Sequence, residues 1–540
     1  MNLRRLGVLI AFLGCAGFGY WLARTAVPGD GLARERNFES PRSNSLASRL
    51  GHFSQTRVDR RKGEASAGDI AARQVGALEG ERVLIFRDAA SMERFLERAE
   101  GKLRILSRLD ALRALRVGFV DRVALAGLLE SLTTTESFVF PVAIPELSEG
   151  GVQAGAVALG GAVLEWLGIE GERTDWGSGV RVAVLDTGVS PNETLRGELR
   201  SLELVALPKN ISEWNGHGTA VASLIAGSDP LTPGVAPGVD ILSIRVANDS
   251  GVSDSFLLAE GIVKAVDAGA KIINISMGSF GDSGVMRDAV AYANERGVLM
   301  VAAVGNNGIE RVTYPAAYGS VIAVGAVDAM GMHMEFSNFG SAVDLVAPGY
   351  GVNAAWSNDE AVRVSGTSFS APIVTGAVAA LMSEKSLSSR QAYELLMANL
   401  NDGGAAGSDA QYGGGMPDVG RALQSGESGI YDAAIASQRV LAADASNPNG
   451  QVEVVVQNRG TEMLVNTAVK VSVGGMSTTS NLSTLAPNAV TTVRVPVHQD
   501  WNEATGGLRI ESNTQVSGGV VDIKPSNDRR IEIHGQGRSN

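Results

Sequence analysis

Five short segments that are apolar almost throughout constrain this chain more than any other feature. RVAVLD, DILSIRV, KIINIS, VLMVAAVG and SVIAVGAVD begin at Arg181, Asp240, Lys271, Val298 and Ser320. After the first gap they recur roughly every 25 to 35 residues. Helix-patterned stretches such as SFLLAEGIVKAVDAG and VMRDAVAYANERG separate several of them. A strand with no polar side must be covered on both faces, and helices between such strands supply the cover. The segment therefore predicts a parallel sheet between two helical layers, with its ligand site at the carboxyl ends of the strands.

The flanking sequence has different periods. Residues 81–145 read as strand, helix, two strands, helix and strand: ERVLIFRD, ASMERFLERAEG, KLRILSRL, ALRVGF, DRVALAGLLESL and SFVFPVAI. This order predicts a small ferredoxin-like α+β unit. After about Ser428 the helical period stops. QVEVVVQNRG, TAVKVSVGG, AVTTVRVPV, GLRIES and RRIEIHG run between Gly, Asn and Pro turns, which predicts an all-β sandwich over 428–540. The Gly-rich SEGGVQAGAVALGG joins the first unit to the parallel-sheet segment, 146–427. A polar stretch without sustained periodicity, 27–80, reads as a flexible tether.

The first 26 residues carry Arg4 and Arg5, an apolar run from Leu6 to about Ala23, and Tyr20 and Trp21 near its far end. The run is long for a signal-peptide core and slightly short for a spanning helix, and no Ala-x-Ala cleavage site follows. Phe12-Leu13-Gly14-Cys15 is only loosely like a lipobox. Membrane anchor and cleaved signal both remain open, and both place the bulk of the chain outside the cytoplasm, anchored, secreted or periplasmic. The single cysteine, Cys15, excludes intramolecular disulfides, and the net charge of -12 argues against general nucleic-acid binding.

Three residues of the sheet segment stand where side chains enter a cleft. Asp186 ends the strand RVAVLD, and Thr187-Gly188 makes a tight turn after it. His217, in WNGHGTAVASLIAG, precedes an apolar helix. A helix N-terminus disfavours the imidazolium, so a histidine there needs a carboxylate if it is to hold a proton. Ser368, in VRVSGTSFSAPIVTGAVAAL, lies at a second helix start beside unpaired N–H groups, with Pro372 read as lying in the first turn, where its missing N–H costs little. Each has a bland reading as a cap or helix-end residue. Their order, acid then imidazole then hydroxyl, differs from the lipase elbow, in which the serine comes first within Gly-x-Ser-x-Gly.

DTGV at 186–189, HGT at 217–219 and GTSFSAP at 366–372 resemble the three signatures of the subtilisin-like serine peptidases, from about Val182 to Leu423 and including YGGGMPDVGRAL. The resemblance implies that Ser368 is the nucleophile, His217 the general base and acid, and Asp186 the residue that orients the imidazole. It implies that Asn306, in VAAVGNNG, donates to the oxyanion together with the Ser368 N–H. Substrate would lie extended between Ser276-Met277-Gly278 and the segment near Asn248 to Val252. Ala303, Val304 and Gly305, with Ala316, imply an apolar pocket for the residue before the scissile bond. The 81–145 unit resembles the family's inhibitory propeptide, with 146–160 as processing zone, so the partners implied are protein or peptide substrates and the chain's own propeptide.

No cofactor is implied for the chemistry. A structural Ca2+ is common in the family, but no run of spaced carboxylates after Asp186 identifies its ligands. Ala220 stands where the family often has a second histidine, and His333, in AMGMHMEF, reads as a surface-loop residue. VVVQNRGT, LSTLAPNAVTTV and PSNDRR resemble immunoglobulin-like CARDB modules. Two other functions stay open at this level: a catalytically silent surface-binding protein, and a subtilisin-like enzyme that rejoins peptides rather than hydrolysing them.

Overall fold

The computed structural model describes residues 34–35, 67–147, 153, 155–210, 214–441, 443, 448, 450–497 and 507–534. The N-terminal basic and apolar segment lies outside the described residues. Among the described residues, no helix is long and apolar enough to cross a membrane.

Seven parallel strands form the central sheet: β1 Arg181–Asp186, β2 Leu199–Glu203, β3 Asp240–Arg245, β4 Ile272–Ile275, β5 Leu299–Ala303, β6 Ile322–Val327 and β7 Leu345–Pro348. Their order across the sheet is β7-β6-β5-β4-β1-β3-β2, so the sequence reverses direction beside β1. The period of two along each strand divides its side chains between two cores. Val182 and Val184 of β1, with Val301, Val324 and Leu345, pack beneath helices α1 (His217–Ala226) and α4 (Thr367–Glu384). Ala183 and Leu185, with Ile273, Ile275 and Met300, pack beneath α2 (Ser255–Asp267) and α3 (Gly284–Glu295). Burial on both faces explains why β1 and β3 to β6 read as apolar runs, whereas the edge strand β2, with its side chains exposed or half-buried, does not. The strand carboxyl ends and the starts of α1 and α4 meet along one rim of the sheet.

Strands Glu81–Phe86, Arg104–Leu109, Ala114–Gly118 and Thr134–Ser137 form the N-terminal sheet, antiparallel throughout, with helices Ala89–Ala99 and Arg122–Leu129. The first and second strands of this unit flank the third, as in a ferredoxin-like fold. The expected strand SFVFPVAI is divided. Its Ser137 closes this sheet, and Pro141–Ala143 leaves to pair elsewhere. The eight residues Ala67–Gln74, inside the 27–80 stretch read as a tether, form a helix whose Asp69 is buried against Arg82. That ion pair is why polar residues without a long apolar period fold here.

The unit rests on the amino ends of α2 and α3. Arg116 bridges Glu81 and Asp254 at 2.7 Å each, and Asp254 caps α2 through the N–H groups of Phe256 and Leu257. Ser137 Oγ accepts the Gly284 N–H at 2.6 Å at the start of α3.

Among the described residues, the C-terminal region is a seven-stranded antiparallel sandwich. Ala433–Leu441, Gln451–Asn458 and Val490–Pro496 form one sheet, and Leu464–Val473, Met476–Leu485, Leu508–Gln515 and Arg529–His534 the other. Val452, Val454, Val469, Val471, Val493 and Ile510 fill the space between them. Buried polar groups join it to the preceding domain. Gln457 accepts the Asp402 N–H and donates to the Leu400 carbonyl, while Arg421 donates to the carbonyls of Asn399, Leu400 and Arg459.

Candidate active site

Asp186 ends β1 and is fully buried, and the first turn of α1 brings His217 over it. His217 Nδ1 lies 2.9 and 3.0 Å from the two Asp186 carboxylate oxygens. Asp186 Oδ1 also accepts the Thr187 N–H at 2.7 Å and the Thr187 hydroxyl at 3.2 Å. A carboxylate in this setting exchanges water for several fixed donors, so its charge is held in one place.

The turn DTG does more than deliver the acid. Thr187 Oγ1 accepts the Gly218 N–H at the start of α1, which ties the acid's turn to the histidine's helix. Asn215 Oδ1 accepts the His217 N–H at 3.0 Å. Asn215 in turn bonds through its own N–H to Asp249, whose carboxylate pairs at 2.8 Å with the fully buried Arg245. Thr187, Asn215, Arg245 and Asp249 were not legible as site residues. Their part is to hold backbone, and only their three-dimensional partners reveal it.

Ser368 lies in the first turn of α4, and the next residue, Phe369, stands with its ring centroid 5.1 Å from that of His217. The helix begins at Thr367, so Pro372 is in its second turn rather than its first. Without an N–H, Pro372 cannot bond the carbonyl four residues back, which is that of Ser368. The hydroxyl of Ser276 donates to this carbonyl at 2.7 Å instead. The Ser368 hydroxyl donates in return to the Ser276 carbonyl at 3.1 Å. Behind this reciprocal pair, Asn274 Nδ2 donates to Ser276 Oγ, and the Thr375 hydroxyl donates to Asn274 Oδ1. All four side chains are buried.

Asn306 follows β5. Its Oδ1 accepts the Thr367 N–H at 2.9 Å and the Thr367 hydroxyl at 2.8 Å, which fixes which way its amide points. Gly366, at φ 138°, lets α4 begin this close: a Cβ there would stand 2.9 Å from Asn306 Nδ2. Asn306 Nδ2 donates at 2.8 Å to the carbonyl of Pro145.

That contact is the end of a longer one. Pro141–Ala143 runs along the rim as an extra strand, and Ile144 and Pro145 continue from it. Pro141, Val142 and Ala143 pair antiparallel with Asp254, Ser253 and Val252. On the other side Ala143 exchanges hydrogen bonds with Gly278 at 3.1 and 2.9 Å, and the Ile144 N–H donates to the Gly251 carbonyl at 3.0 Å. Residues of this segment thus lie between the two edges expected to hold an extended peptide. Gly278 engages through its backbone, and a Cβ there would meet Thr313 Oγ1 at 2.4 Å. Met277 turns its side chain into the core beneath the sheet, and Ser276 commits its hydroxyl to Ser368. Ala303, Val304 and Ala316 are buried at the rim, and the Val304 carbonyl accepts from Asn338.

His333 is not the surface-loop residue expected. Its ring packs 5.9 Å from that of Tyr412 and 6.5 Å from that of Phe339, and its N–H donates to the Tyr412 hydroxyl. Among the described residues, no group of three or more His, Cys, Asp or Glu is arranged to hold a metal ion.

Comparison with known proteins yields one consistent likeness. The model of the subtilase family matches residues 177–415. The thermostable alkaline protease of Halalkalibacterium halodurans is 37% identical over 252 residues, which cover 46% of this chain and 69% of that protein. Subtilisin Savinase of Lederbergia lenta is 39% identical over 213 residues, 39% of this chain and 78% of that one. The crystal structure of fervidolysin from Fervidobacterium pennivorans, described as a keratinolytic enzyme related to subtilisin, superposes with a TM-score of 0.55. It covers 84% of this chain and 72% of its own at 24% identity, a likeness of fold.

Proposed function

The chain belongs to the subtilase family of serine proteases, and from that premise we propose that it is an exported endopeptidase made as a self-processing precursor, with Ser368, His217 and Asp186 as its catalytic residues. In this reading Ser368 Oγ attacks the peptide carbonyl carbon, and its proton passes to His217 Nε2. Asp186 holds the imidazole by Nδ1 and balances the cation. The C–N bond then breaks, His217 returns the proton to the leaving amine, and water releases the acyl group by the same steps in reverse. Asn306 Nδ2 and the Ser368 N–H, in a helical turn with no carbonyl four residues back to receive it, are the donors to the developing oxyanion.

One observation carries this reading. The leader lies in the cleft as a strand, with the Pro145 carbonyl on Asn306 Nδ2. A carbonyl on that donor is the one an oxyanion site would polarise, so the bond presented is Pro145–Glu146. The 81–145 unit then acts as an inhibitor in cis, and other protein or peptide substrates bind along the same two edges after it departs. Support for export comes from Arg4, Arg5 and the apolar run after them. The sandwich, with its CARDB resemblance, is read as an accessory module on the same chain.

A fluorophosphonate probe tests the assignment. Covalent labelling at Ser368, abolished by Ser368→Ala, is expected. Equal labelling of the Ser368→Ala protein would rule Ser368 out as the nucleophile and favour another site.

A further inference from the structure

Pro145 is an unusual residue to find opposite a donor and acceptor edge. Ala143 and Gly278 form a hydrogen-bonded antiparallel pair, so the next such pair along the ladder sets residue 145 opposite Ser276. An N–H at residue 145 would there point at the Ser276 carbonyl. Proline has none. The Ser276 carbonyl accepts the hydroxyl of Ser368 instead, at 3.1 Å. A serine hydroxyl has one proton to give.

We infer that Pro145 is a latch on the chain's own processing: by withholding a main-chain donor from Ser276, it leaves the Ser368 hydroxyl directed at that carbonyl and keeps the Pro145–Glu146 bond intact. The inference rests on the catalytic reading proposed for Ser368. The leader is then a strand that fits the cleft and is cut slowly. Ile144 and Ala143 keep their ladder bonds to Gly251 and Gly278, and the Pro145 carbonyl keeps Asn306. The missing bond lies at the residue before the scissile peptide, where misplacement affects the attack most. The same edge discriminates among other substrates. A peptide with an N–H at this position completes the ladder, whereas one with proline there binds with a gap.

The test uses the full-length chain and follows loss of the leader by intact mass over time. Pro145→Ala and Pro145→Leu both restore the N–H, the second with a bulkier side chain. Pro141→Ala loosens the same strand at a residue that faces Asp254, away from Ser276. Both residue-145 variants should release the leader at least about tenfold faster than the parent, with Pro141→Ala close to the parent. Equal or slower release in both residue-145 variants, or the same acceleration in Pro141→Ala, overturns the latch alone. Release at an undiminished rate when Ser368→Ala is added to Pro145→Ala overturns the catalytic reading, and the latch with it.

Discussion

Both carboxylate oxygens of Asp186 face a single nitrogen of His217, at 2.9 and 3.0 Å, inside a fully buried pocket. A carboxylate can only accept here, so Nδ1 carries the proton, which in the proposed mechanism leaves Nε2 as the base. An amide in place of the carboxylate can present an N–H to Nδ1, which favours the opposite tautomer. Asp186→Asn should therefore lower kcat by about 10⁴ with little change in KM, measured on a peptide substrate after an added protease has removed the leader at an inserted site from parent and variant alike.

Asn306 separates binding from turnover. Its Oδ1 is held by Thr367 and its Nδ2 points into the cleft, so in the proposed mechanism Asn306→Ala removes a donor to the oxyanion without altering the two edges. The expected loss is about 10² to 10³ in kcat. Thr367→Val removes one of two restraints on the amide and keeps the N–H bond, so its loss should be smaller. Steady-state kinetics of the two variants checks the ranking.

The joint between catalytic domain and sandwich depends on Arg421. Its guanidinium donates to three backbone carbonyls, those of Asn399 and Leu400, which are buried, and that of Arg459, which is partly so. Arg421→Ala strands the carbonyls of Asn399 and Arg459, while that of Leu400 keeps its bond from Gln457, with a cost on the order of 3 kcal/mol, read as a lower urea midpoint. Limited proteolysis should then cut near residues 424–430, between the two domains.

One buried group, Asp402, and one half-buried group, His333, give stability opposing slopes in acid. Burial pushes the Asp402 carboxyl up to about 6, partly offset by the N–H groups of Gly407 and Gly403. The native state then binds more protons than the unfolded one, and stability falls as pH rises from about 4 to 6. Burial pushes the His333 imidazole down to about 4, so its contribution is lost as pH falls from about 6.5 towards 4. Asp402→Asn should be more stable than the parent at pH 8, by up to about 2 to 3 kcal/mol, and indistinguishable from it near pH 4. His333→Phe should show the reverse, matching the parent at pH 8 and gaining on it towards pH 4. Thermal unfolding across this range checks both signs.

The sequence reveals the residues whose signal is local. Asp186 at a strand end, His217 and Ser368 at helix starts, and Asn306 after an apolar strand each sit in a short motif whose turn chemistry is visible residue by residue. What it conceals depends on distant partners. Nothing near Pro372 says that α4 starts at Thr367, nor that the carbonyl this proline strands is met by a hydroxyl at Ser276, 92 positions away. SFVFPVAI reads as one strand because its apolar residues are continuous. Only the competition between the N-terminal sheet and the cleft edges divides it between Ser137 and Pro141. His333 reads as exposed because its enclosure comes from Phe339 and from Tyr412, the latter supplied by a loop far along the chain.

The central claim is that the Ser368 hydroxyl is the attacking group. Its most direct test is the turnover of a denatured protein substrate by the Ser368→Ala protein, freed of its leader by an added protease at an inserted site, once its circular dichroism and melting temperature match those of the parent released in the same way. A fall in kcat on the order of 10⁶ is expected, with substrate still bound. Hydrolysis at the parent's rate would contradict the account.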